Sequence, residues 1–243
     1  MESFDDADAA LESQIERLEG EVATLERTIR ATDEEVDAEL RARFEAVAGE
    51  LQAVLAESNG GHGVINTRTG GTITPLAADP DDVSLADIAH ALSNLTRFTG
   101  HGMEFYSVAR HVVHVSYEVE ARGGSPDAIR WGLLHDATEA YIADVPAPVK
   151  RSLPGYTHAE AELAAVVREA FDLDLSSADE RLVDAADSDV GRYELAKHFP
   201  NGGHEEPTLE YDPDTLKTDG DDKTLFLERT RALDIGDAGS SRY

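Results

Sequence analysis

Between Ser84 and His198 apolar side chains recur every three or four residues almost without a break, and that spacing confines this part of the chain to helices packed against one another. Local signals divide it. Ser84 precedes "LADIAHALSNL", with Asp87 three residues on, close to a capping box. "EFYSVARHVVHVSYEVEA" runs to a stop at Gly123-Gly124. A further helix is expected from Ser125-Pro126 to about Ala143, ended by Pro146 and Pro148. "THAEAELAAVVREAF" and "SADERLVDAADSDVGRYELAKHF" complete the set. The expected fold class is all-α, a helical bundle over residues 84–200.

The flanks read differently. In residues 1–58 the apolar positions Leu11, Ile15, Leu18, Val22, Leu25 and Ile29 form a heptad seam, which resumes as Val36, Leu40, Phe44, Val47, Leu51 and Val54. The four-four step through Leu40 is a stutter. One helix from Leu11 to Val54 would be about 65 Å long. The alternative is a helical hairpin that turns near "RATDEE", with Asp33 as the second cap. The expected arm is a coiled coil that makes the protein a homo-oligomer, most simply a dimer. Residues 59–83 read as a Gly-rich linker and a β-hairpin, "GVINTR" and "TITPL" about a turn at Gly70-Gly71. The glycines are not a P-loop, because no Lys-Ser/Thr follows and no helix opens there. Residues 201–243 read as an acidic extension with one short helix in "DDKTLFLERTRAL" and a disordered end, "GDAGSSRY".

The net charge is −29, and the acids are not gathered in a tail. Residues 1–58 hold 17 acids and 5 bases, residues 59–200 hold 22 and 11, and residues 201–243 hold 11 and 5. Such a surface opposes duplex DNA or RNA, whose binding rests on phosphate neutralisation. Cysteine is absent, which removes thiol catalysis and iron–sulfur chemistry. No apolar run reaches the roughly 18 residues of a membrane span, and "MESFDDADAALESQ" has no signal pattern, so a cytoplasmic protein without a membrane partner is expected. Lysine occurs only at positions 150, 197, 217 and 223. Few lysines and many acids suit a very salty cytoplasm.

Candidate chemistry gathers in "WGLLHDATEAYIADVPAPVK", where His135, Asp136 and Glu139 interrupt an apolar helix. At spacings of three and four they project to one side. Such groups are seldom buried unless paired or bound to a cation. Two adjacent ligands do not complete a metal site. Further donors are available at His111 and His114 in "VARHVVHVS", and at Asp184, Asp187 and Asp189 in "VDAADSDVG"; spacing alone does not choose among them.

Taken together, "RHVVHVS", "LLHDATEAYIADVPAPVK" and "VDAADSDVGRYE" resemble the HD-domain metal-dependent phosphohydrolases, closest to their 5′-deoxynucleotidase-like branch, over residues 64–200. The resemblance implies an HD-domain helical bundle with His111, His135, Asp136 and Asp187 holding one divalent transition-metal ion such as Co²⁺, Mn²⁺ or Fe²⁺. It implies a catalytic role for Glu139, and substrate contacts from Arg97, Phe98, Asp144 and Lys150. Phe98 stands where the deoxynucleotidases carry Trp, at a position that bears on sugar preference. The implied substrate is a small nucleotide, foremost a (deoxy)nucleoside 5′-monophosphate. A nucleotide triphosphate, an alarmone, or ligand sensing by a coiled-coil regulatory protein are the alternatives. A bound ion lowers the pKa of water toward ~7, and Arg97 offsets phosphate charge. The acidic surface yields one expectation independent of this chemistry: the thermal midpoint rises between ~0.1 M and ~2 M KCl as self-repulsion is screened. Equal midpoints at the two salts would remove the salt-adaptation reading.

Overall fold

The computed structural model describes residues 38–58, 60–153, 155–216 and 220–236, with Ser13, Glu16, Arg17 and Gly20. The chain divides into two compact units, Met1–Phe44 and Glu45–Tyr243. In the first unit, positions 13, 16, 17 and 20 are helical. The seam from Leu11 through Val36, the Asp33 cap and the tail after Gly236 lie outside the described residues.

The second unit is mainly helical, with one small sheet. Helix α1 (Ala38–Ser58) enters it. Glu45 accepts a hydrogen bond from the Gly155 backbone, and Gly49 presses against the His158 ring, so close that a β-carbon would lie 2.2 Å from it. Val47, Leu51 and Val54, the last seam positions, are instead exposed. Strands β1 (Ile65–Asn66) and β2 (Thr72–Ile73) pair antiparallel, Ile65 opposite Ile73. Their connecting turn is tied to the bundle: Thr69 donates through its backbone N–H and its hydroxyl to the two Asp87 oxygens, at 2.7 and 2.8 Å. Asp87 therefore does not close the capping box suggested by the sequence; Ser84 caps α2 (Leu85–Asn94) alone.

Helix α3 (Val108–Ala121) is the axis of the bundle, packed on α2, α4 (Pro126–Leu134), α8 (Ser177–His198) and α9 (Asp222–Ala232). It is buried from Val108 to Ser116 except at the half-buried Arg110, because valines and histidines occupy most of its sides. Serines start these helices as the sequence suggests: Ser107, Ser125 and Ser176 each accept a backbone N–H three residues on. Ser107 also donates to Asp222, and Arg110 grips the same carboxylate at 2.6 and 2.9 Å. Short helices α5 (Glu139–Ile142) and α6 (Ala147–Lys150) precede α7 (Tyr156–Ala170).

Two features depart from the sequence reading. The helix expected from Ser125 to Ala143 breaks after Leu134, and the chain passes residues 135–138 through tighter bonds, Ala137 N–H to Leu134 and Glu139 N–H to Asp136. The acidic extension, in turn, contributes α9 to the core: Phe226 is fully buried, and Arg229 bonds to Ser116 and Glu120. Phe226→Ala should cost about 3–5 kcal/mol in chemical denaturation; a loss below about 1 kcal/mol would mean that α9 is not part of the cooperative core.

Candidate metal centre

Three helical segments bring the ionisable groups together. His111 lies one turn into α3 and is wholly buried. His135 and Asp136 follow directly on α4, where the backbone keeps near-helical dihedrals while its hydrogen bonds tighten to a spacing of three residues. Asp187 lies on α8 on the same stripe as Val190 and Glu194. The Nε2 of His111 is 3.0 Å from Asp187 Oδ1 and 3.5 Å from Asp136 Oδ2. The Nε2 of His135 is 3.4 Å from Asp136 Oδ1 and 3.7 Å from Asp187 Oδ1. Donor atoms of His111, His135 and Asp187 all lie within 4.8 Å of one another.

The other sides of these rings are committed. His135 Nδ1 is 3.0 Å from the Gly132 carbonyl, and His111 Nδ1 is 2.9 Å from Glu194 Oε1. What remains without a hydrogen-bond partner is the inward set: both Nε2 atoms and Asp136 Oδ2. Convergent nitrogen-plus-carboxylate donors of this kind, with His111 fully buried and Asp187 open to solvent on one side, fit a divalent transition ion. The electrostatics agree. Burial and the Arg97 charge oppose a protonated His111, yet Glu194 and Asp187 outweigh them and lift it to about 10. Burial likewise opposes the charged His135, but Asp136 and Asp187 raise it. Asp187 is held well below the ordinary carboxylate range, burial being overcome by the two histidines. The carboxylates thus recruit positive charge to a point where an ion would supply it.

The remaining sequence candidates fall around this centre. Arg97 reaches both sides, with Nη1 3.9 Å from Asp136 and Nε 3.4 Å from Glu194. Phe98 packs edge-on against Phe199 and beside His198, with the Arg97 guanidinium 5.6 Å from its ring centroid, in a left-handed conformation (φ 58°) shared by Thr99. Glu139 is buried with Oε2 unpartnered; burial first, then Asp136 and Asp144, hold its carboxyl well above the usual range. Lys150 lies 3.7 Å from Glu139 but bonds to Glu160 at 2.5 Å. Asp144 follows Ala143, a non-glycine residue at φ 68° whose carbonyl accepts the Tyr156 hydroxyl, and burial raises its carboxyl too. Among the competing donors, Asp189 is paired with Arg122 and Arg192, Asp184 is exposed, and His114 contacts Tyr193 and Tyr211. Glu194 escaped the sequence reading, although it stands seven residues, two helical turns, after Asp187.

No protein-family model matches the sequence. The chain is 48% identical over 94 residues to YfdR of Escherichia coli (strain K12), an uncharacterized protein; the match covers 38% of this chain and 49% of YfdR. It is 36% identical over 127 residues to the uncharacterized protein RCAP_rcc00048 of Rhodobacter capsulatus, covering 49% of this chain and 64% of that protein. The chain thus spans about half the length of one relative and less than two thirds of the other. No helix among the described residues is long and apolar enough to cross a membrane.

His114 provides a pH test apart from the ion. Neither ring nitrogen has a hydrogen-bond partner, and burial pushes the imidazole down to about 4. The unfolded chain then binds a proton that the folded one refuses, so stability falls as pH drops from 6.5 toward 4, by roughly 3 kcal/mol at most. His114→Leu should flatten that limb in urea unfolding of the metal-free protein; an unchanged slope would show that His114 does not set it.

Proposed function

We propose that the protein is a metal-dependent phosphohydrolase of the HD-domain type that cleaves a phosphomonoester of a small nucleotide, foremost a (deoxy)nucleoside 5′-monophosphate. The observation that carries this reading is the pair of inward-facing Nε2 atoms of His111 and His135, which approach Asp187 and Asp136 without a formed hydrogen bond. With the motif resemblance over residues 64–200 it favours these four as ligands of one Co²⁺, Mn²⁺ or Fe²⁺ ion. Such an ion polarises a phosphoryl oxygen and makes a water nucleophilic near neutral pH.

The chain's own groups have separable tasks. Arg97, kept charged by Glu194 and Asp136 despite burial, offsets the phosphate and the charge of the transition state. Glu139, favoured as a neutral carboxyl by its burial, donates its proton to the departing 5′-oxygen as the P–O bond breaks and water adds to phosphorus. The products are a nucleoside and inorganic phosphate. Lys150, 3.7 Å from Glu139, steadies that carboxyl, and the Phe98 ring beside the Arg97 guanidinium borders the substrate together with Asp144. The arm with the exposed Val47, Leu51 and Val54 seam supports assembly as a homo-oligomer.

A nucleotide panel tests the reaction. Metal-stripped protein, resupplied with each ion in high salt, should release inorganic phosphate from nucleoside 5′-monophosphates. Glu139→Gln should lower kcat by about 10²–10⁴-fold while keeping the ion. Pyrophosphate or tripolyphosphate as the product would move the substrate class. Inactivity on the whole panel with every metal would favour ligand sensing instead.

A further inference from the structure

Glu194 has no task in the reaction just described, yet it is the most enclosed carboxylate near the site, 1% exposed. Three groups face it. His111 Nδ1 is 2.9 Å from Oε1, and Arg97 Nε is 3.4 Å from Oε2. The Tyr106 hydroxyl is raised well above its ordinary range by burial and by Glu194. Arg97 in turn crosses α8 at Gly191 to reach Asp136. A residue that only packed would be apolar at such a position, since an ionised carboxylate there loses its water.

We propose that Glu194 is a positioning residue that sets both halves of the site with its two oxygens. An ionised carboxylate can only accept hydrogen bonds, so when His111 gives up its Nε2 proton to an ion, the remaining proton is held on Nδ1 and the lone pair is left on Nε2, facing Asp136 and Asp187. The second oxygen draws Arg97 to the same place, so that the ion and the phosphate meet in one fixed register. The proposal rests on the metal-and-phosphate reading above.

Glu194→Gln keeps the shape and loses the acceptor-only character: its amide N–H can favour the opposite tautomer, with Nε2 protonated and unable to ligate. In the full-length protein, Co²⁺ affinity of Glu194→Gln should fall about 10–100-fold and the visible spectrum of the bound Co²⁺ should change. Binding of inorganic phosphate to the loaded variant should weaken as well, with circular dichroism unchanged. Wild-type Co²⁺ affinity and spectrum in Glu194→Gln would overturn the proposal. Should that variant not fold, the Zn²⁺-loaded wild type decides the matter: long-range ¹H–¹⁵N spectra should show His111 protonated on Nδ1, and protonation on Nε2 would overturn it. These readouts are binding and tautomer, so inactivity of the wild type on all nucleotides would count against the proposed reaction and not against Glu194.

Discussion

His111 is buried between carboxylates, and the bundle around it depends on how that charge is balanced. Asp187 and Asp136 approach its Nε2, and Glu194 holds its Nδ1. Taking ionised groups out of water costs several kcal/mol each unless charges and hydrogen bonds compensate. Here the carboxylates exceed the fixed cations: Arg97 is shared between Asp136 and Glu194, and Lys150 is drawn off by Glu160. The same carboxylates raise both His111 and His135, which favours positive charge on the imidazoles. A divalent ion would meet it with a single charge centre and would use the nitrogen and oxygen atoms that now lack partners.

The architecture serves that convergence. Helix α3 is enclosed on all sides by α2, α4, α8 and α9, so the His111 ring has little freedom. The tightened turn between α4 and α5 carries both His135 and Asp136 to the site, within 3.4 Å of each other and beside His111. Helix α8 presents Asp187 and Glu194 on one stripe, so the proposed ligand and the proposed positioning residue come from the same element. Two turns further along α3 the helix is pinned as well: the buried Glu118 accepts the backbone N–H groups of Glu210 and Tyr211 as well as Arg122. The chain beyond the bundle helices thereby clamps the helix that carries His111.

Much of this was legible in residue order because it is local. Serine caps, glycine stops and a 3.6-residue apolar period mark most helix ends of the bundle. The stripe that holds Asp187 and Glu194 is written in a spacing of seven, yet Glu194 goes unread because nothing in that spacing says what it faces. Other features depend on contacts between distant residues, which no periodicity records. Asp87 looks like a capping-box partner and instead receives Thr69 from the hairpin turn. "DDKTLFLERTRAL" looks like an appendage until Phe226 and Arg229 find α3. The choice of Asp187 over Asp184 and Asp189 turns on the partners of each, Arg122 and Arg192 for Asp189 and solvent for Asp184. The break at 135–138 carries no Gly or Pro to announce it.

The central claim is that these four side chains hold one ion, and anomalous diffraction tests it most directly. Crystals grown with Mn²⁺ or Co²⁺ should show a single strong anomalous peak per chain among His111 Nε2, His135 Nε2, Asp187 Oδ1 and Asp136, at roughly 2.0–2.3 Å from each. A structure with the ion present in solution but no peak there, and with His111 still in direct contact with Asp187, would contradict it.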